Sequence, residues 1–147
     1  MRMMIALLAT LSILGAASAG PEPSFSFRVT GCAETETGMP SKTRAGFQTI
    51  GATIEVIGSG IRYTRAGTHQ CCRKVVVRRQ VQKGRIALTE YWTGDGCRCM
   101  CSSRIEANLA GLAPGEYEVV VYSGGIEPIT HKDIEPKAIL SQKVRVP

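Results

Sequence analysis

Hydrophobic and polar residues alternate with a period of two along most of this chain, the pattern of strands that turn one face to a core. Phe25, Phe27 and Val29 alternate with Ser24, Ser26, Arg28 and Thr30. Ala52, Ile54 and Val56 alternate with Thr53 and Glu55, and Ile61 and Tyr63 follow a Gly58-Ser59-Gly60 break. Val75, Val77 and Val81 share one parity, while Lys74, Arg78, Gln80 and Gln82 hold the other. Lys83-Gly84 then turns the chain into Ile86, Leu88 and Trp92, which predicts a hairpin. The longest alternation places Cys97, Cys99, Cys101, Ser103, Ile105, Ala107 and Leu109 on one face, so the three thiols are expected to point into the core. Tyr117, Val119 and Val121 point inward on the next strand, and Leu140, Val144 and Val146 on the last. Seven or eight strands at this spacing, with no amphipathic helix, predict an all-β fold, an antiparallel sandwich.

The first residues have a different character. Arg2 opens a short cationic start, Ile5 to Leu14 form an apolar stretch, and Ala17-Ser18-Ala19 is a small-residue cleavage site. This is the layout of a secretory signal peptide, and the stretch is too short for a permanent span. Residues 1–19 are therefore read as a signal peptide and 20–147 as one cysteine-rich β-sandwich domain, secreted or periplasmic. No second apolar stretch of membrane length follows.

Leu109-Ala110-Gly111-Leu112-Ala113-Pro114-Gly115-Glu116-Tyr117-Glu118-Val119 resembles the GL-x-PG-x-Y-x-V strand–turn–strand of fibronectin-III and related immunoglobulin-like modules. The resemblance implies an immunoglobulin-like sandwich and carries no functional residue with it. Cys71-Cys72 followed by Cys97-Arg98-Cys99-Met100-Cys101 is similar to a pattern in small cysteine-rich exported bacterial proteins, and that resemblance implies no activity.

All six cysteines lie beyond residue 19, and an even count in an oxidising compartment points first to disulfides. Residues two apart on a strand are about 6.7 Å from each other, whereas a disulfide needs Cβ atoms about 3.5–4.5 Å apart. Cys97, Cys99 and Cys101 are thus expected to bond not to one another but to Cys32, Cys71 and Cys72. Extending the hairpin register backwards from Gln82 opposite Arg85 puts Cys71 near Gly96, so Cys71–Cys97 is the expected bridge. The alternative is a soft-metal site for copper or zinc, built from Cys97, Cys99, Cys101, Cys71, Cys72 and His69. Its difficulty is reach, since Cys97 and Cys101 would be about 13 Å apart on a straight strand. Outside that alternative no cofactor is expected, and His69 and His131 read as ordinary surface or loop residues.

The net charge of +6 is unevenly spread. No acid occurs between Glu55 and Glu90, while Arg73, Lys74, Arg78, Arg79, Lys83 and Arg85 crowd the hairpin, most of them expected on one exposed face. Such a face suits an anionic surface or an acidic protein, and it also keeps a strand edge from pairing. Aromatic residues do not interleave with the charges, so a base-stacking surface for nucleic acid is not supported. With no nucleophile–base pair, carboxylate dyad or phosphate loop in the sequence, the expectation is a non-enzymatic binding or structural module.

Overall fold

In a computed structural model, which describes residues 22–32 and 49–147, the alternating segments form eight strands. They are β1 (Ser24–Gly31), β2 (Thr49–Ile57), β3 (Gly60–Gln70), β4 (Lys74–Gln82), β5 (Arg85–Thr93), β6 (Met100–Ala110), β7 (Gly115–Ile126) and β8 (Asp133–Val146). Two four-stranded sheets result, with orders β1-β6-β3-β2 and β4-β5-β7-β8. There is no helix among the described residues. The segment read as a signal peptide lies outside them.

The predicted faces hold. Ile61, Tyr63, Val77, Ile86, Leu88, Trp92, Ile105, Leu109, Val119, Val121 and Val146 are buried between the sheets. Phe27, Val29 and Val56 have the inward parity but remain exposed, because β1 and β2 are edge strands. A row on an edge strand is covered from one side only, so parity alone overstates its burial.

One pairing departs from the antiparallel expectation: β5 and β7 run parallel, from Arg85 opposite Glu118 to Trp92 opposite Gly125. The cause is the route of the chain. β5 crosses into the first sheet as β6, and β7 returns beside β5 after a second reversal, which restores the original direction. Parallel neighbours need such a crossover. The close of this ladder depends on Gly125 (φ 142°), where a Cβ would collide with the Trp92 carbonyl.

The β6–β7 corner contains the segment resembling immunoglobulin-like modules. Tyr117 Oη donates to the Ala113 carbonyl at 2.9 Å across it. This bond closes the corner on itself and fixes the entry of β7.

Candidate functional site at the cysteine end

Two connections change sheets at the same end of the sandwich. β3 passes to β4 through Cys71-Cys72-Arg73, and β5 passes to β6 through residues 94–99. The β3–β6 ladder runs without a break to Gln70 opposite Met100, and its next step brings Cys71 opposite Cys99, with the Cys71 N–H donating to the Cys99 carbonyl at 3.0 Å. Cys71 is bonded to Cys99 (Cα–Cα 5.4 Å) and Cys72 to Cys97 (6.1 Å). Cys32, just past β1, is bonded to Cys101 on β6 (5.3 Å). Each cysteine of the 97–101 run thus takes a partner from Cys32, Cys71 and Cys72, the set of partners expected from the sequence.

The expected Cys71–Cys97 bridge is not formed. It came from extending the β4–β5 register through the crossover, but that ladder ends at Lys74 opposite Thr93. Cys71 belongs to β3 and obeys the β3–β6 register instead. The extended run is also shorter than expected, because β6 begins at Met100. Only Cys101 shares the face of Ser103, Ile105, Ala107 and Leu109; Cys97 and Cys99 lie in the crossover, and Cys99 is exposed.

His69 is no surface residue. It is 5 % exposed, on the inward row of β3, and its ring sits 4.8 Å from that of Trp92. Its Nδ1 is 2.8 Å from the Gln70 carbonyl oxygen, and its Nε2 is 2.9 Å from Ser103 Oγ and 3.4 Å from Cys32 Sγ. Cys32, His69 and Cys101 bring their ligand atoms within 4.8 Å of one another. Of the six residues expected to hold a metal, the structure gathers only His69 and Cys101 in this group. Cys32, absent from that set, completes it. His131 lies in an exposed turn, 3.9 Å from Asp95.

Deeper along the same row, Arg65 of β3 is ion-paired with Glu90 of β5, and both are buried. The Glu90 carboxylate also accepts from Tyr63 Oη at 2.6 Å and from Trp92 Nε1 at 3.3 Å. Burial first, then the neighbouring Glu90 charge, push the Tyr63 hydroxyl well above the ordinary phenol range, so it remains a donor. These contacts join the two sheets through polar atoms. The sequence did carry a signal for them: Arg65 and Glu90 are charges standing at inward parity among Ile61, Tyr63, Leu88 and Trp92.

The six basic hairpin residues separate into two groups. Arg73 is half-buried and donates to the carbonyls of Ile126 (2.6 Å) and Trp92 (3.3 Å); burial holds its pKa below the ordinary value. Arg79 has the inward parity of Val75 and Val77, pairs with Glu22 at 3.0 Å and lies over the Phe25 ring. Lys74, Arg78, Lys83 and Arg85 are exposed. The Arg78 guanidinium stacks 4.6 Å from the Tyr91 ring centroid, and Arg85 donates to Tyr122 Oη at 2.9 Å.

Comparison with protein-family models, with curated proteins and with solved structures finds no match to this chain.

Replacing Glu90 by Ala leaves the Arg65 charge buried without its carboxylate and is expected to cost about 3–5 kcal/mol in urea denaturation. A cost below about 1 kcal/mol would show that the pair does not join the sheets. A pH dependence is expected at the β7–β8 turn, where the Thr130 and Ile129 N–H groups donate to the Glu127 carboxylate and hold its pKa below the usual range. A depressed carboxylate stabilises the fold above its unfolded pKa of about 4.3, and the contribution is lost as pH falls through the folded value. Protection of the Thr130 amide from hydrogen exchange should therefore fall on acidification below about pH 4. In Glu127→Gln that step should vanish.

Proposed function

We propose that this chain is an exported, non-enzymatic binding module whose disulfides hold an immunoglobulin-like sandwich, and that the outer face of the β4–β5 hairpin engages an anionic partner. The disulfides themselves belong to an oxidising compartment, and among the described residues no helix is long and apolar enough to cross a membrane. Secretion or a periplasmic location is the reading that joins these facts to the N-terminal segment.

One observation carries the binding reading. The outward positions of β4 are Lys74, Val76, Arg78, Gln80 and Gln82, and those of β5 are Arg85, Ala87, Thr89, Tyr91 and Thr93. None of them is acidic. The hairpin's one acid, Glu90, is turned inward and neutralised by Arg65. Lys74 and Arg78 therefore stand on the face without an acid on either hairpin strand, Arg85 is shared with Glu118 of β7 at 4.0 Å, and Tyr91 and Tyr122 are flat surfaces beside the guanidinium groups. A shallow cleft of about 380 Å³, lined by Gln80, Gln82, Arg85, Thr89, Tyr122 and Glu135, opens on it. Amide and guanidinium donors beside tyrosine rings suit the sulfate or carboxylate groups of an acidic polymer.

Two measurements check this reading. The intact mass of the mature protein under non-reducing conditions should fall six hydrogens below that of the fully reduced chain, with no site open to alkylation. On a heparin column, a variant combining Lys74→Ser, Arg78→Ser and Arg85→Ser should elute at markedly lower salt than the parent. Arg79→Ser, which changes an inward-turned residue, should elute close to it. Equal retention of the triple variant would remove the anionic partner.

A further inference from the structure

The group formed by Cys32, His69 and Cys101 has a geometry that neither stapling nor the basic face uses. His69 Nδ1 lies 2.8 Å from the Gln70 carbonyl oxygen, a position that an N–H fills. The neutral ring then carries its lone pair on Nε2, the atom facing Cys32 Sγ. A backbone carbonyl that fixes the tautomer of one ring nitrogen is how metal-binding histidines are oriented. The Ser103 hydroxyl occupies that lone pair at 2.9 Å, so Nε2 already has a polar partner that a cation would displace.

The distances fit a cation between these three atoms. Metal–sulfur and metal–nitrogen bonds of about 2.3 and 2.0 Å at a tetrahedral angle place sulfur and nitrogen about 3.5 Å apart, and Nε2 stands 3.4 Å from Cys32 Sγ. Two thiolates on one such ion would be about 3.8 Å apart, a separation that rotation of the side chains reaches from Cα atoms 5.3 Å apart. Burial favours the same place. His69 is buried, Cys32 and Cys101 are half-buried, and Trp92 shields the ring on one side. The other two disulfides tie the crossovers independently of Cys32.

We propose that reduction of the Cys32–Cys101 disulfide converts this end of the sandwich into a soft-cation site for Cu(I) or Zn(II), with Cys32 Sγ, Cys101 Sγ and His69 Nε2 as ligands. A dithiol supplies the two electrons and two protons. It leaves as its own disulfide, the S–S bond of Cys32–Cys101 breaks, and the chain gains two thiols. Binding of the cation then releases both thiol protons. Two thiolates with one imidazole are the donor set that soft and borderline cations prefer. The site is independent of the anionic-partner reading, because none of its residues lies on the hairpin's outer face.

The test uses the full mature chain, reduced with a dithiol, desalted without air, and given Zn(II) alone or Cu(I) alone. One equivalent is expected to bind and to protect Cys32 and Cys101 from alkylation, as mapped by mass spectrometry, and the arm that binds more tightly identifies the cation. His69→Ala should weaken binding by at least about tenfold. A variant with both Cys32→Ala and Cys101→Ala should bind none. Should reduction unfold the parent, Cys32→Ser and Cys101→Ser decide the matter without reductant. Each leaves one thiol beside His69, which the added cation should protect, and adding His69→Ala should abolish the protection. The proposal is overturned if the protected thiols are Cys71, Cys72, Cys97 and Cys99, if the double variant binds as the parent does, or if neither single variant shows protection.

Discussion

Where a strand leaves one sheet for another, its backbone must give up its ladder partners, and in this sandwich two strands do so side by side. β3 ends and β4 begins within three residues, while β5 reaches β6 through an irregular segment carrying two glycines. At this end the relation between the sheets depends on how these crossovers are held. Cys71–Cys99 extends the last rung of the β3–β6 ladder covalently, and Cys72–Cys97 ties the residue after Cys71 to the cysteine two before Cys99. Arg73 finishes the join with its guanidinium on the carbonyls of Trp92 and Ile126, so that β4, β5 and β7 meet at one side chain. The Gly96 N–H reaches the Pro128 carbonyl and brings the β7–β8 turn into the same cluster.

Much of this was legible in the sequence, because burial on a strand has a period of two and the inward rows are mostly aliphatic. The strands and the hairpin register at Gln82–Arg85 follow from local geometry; the 97–101 cysteines do pair outside their own run, although Cys97 and Cys99 precede the strand on which that expectation was argued. What local geometry lacks is the point at which one ladder gives way to another. Lys74 opposite Thr93 and Gln70 opposite Met100 belong to different registers, and the three residues between them carry two cysteines. Extrapolating the β4–β5 ladder across that boundary misassigns the bridge, whereas one further step of the β3–β6 ladder gives Cys71–Cys99. The return of β7 parallel to β5 is equally invisible, since alternation says which face is buried and nothing of which neighbour runs beside it.

The placement of charge follows the same division between local and non-local information. A count of basic residues along the hairpin treats Arg79 and Arg78 alike, yet adjacent residues on a strand face opposite ways. Arg79 is used against Glu22 and Phe25 at the open side between β1 and β4. Arg78 is left for the solvent side, over Tyr91. The parity of the hairpin's single acid matters as much. Had Glu90 pointed outward it would have put an acid on the hairpin's outer rows; turned inward, it joins the sheets and leaves those rows without one, the nearest acids being Glu118 of β7, paired with Arg85, and Asp133 and Glu135 of β8.

The inward rows also change character along the sandwich. On β3 the sequence Ile61, Tyr63, Arg65, Gly67, His69 passes from aliphatic to polar, and on β6 Leu109, Ala107, Ile105, Ser103, Cys101 passes the same way in register. Gly67 leaves a cavity of about 10 Å³ bounded by Arg65, His69, Trp92, Ser103 and Ile105, room for about one water. Apolar burial therefore contributes least where the crossovers are, and covalent bonds and satisfied polar contacts replace it there. An imidazole buried beside two sulfurs needs polar partners, and Ser103 and the Gln70 carbonyl supply them here, which an aliphatic row would not. The same arrangement that makes this end depend on disulfides also gathers donor atoms there.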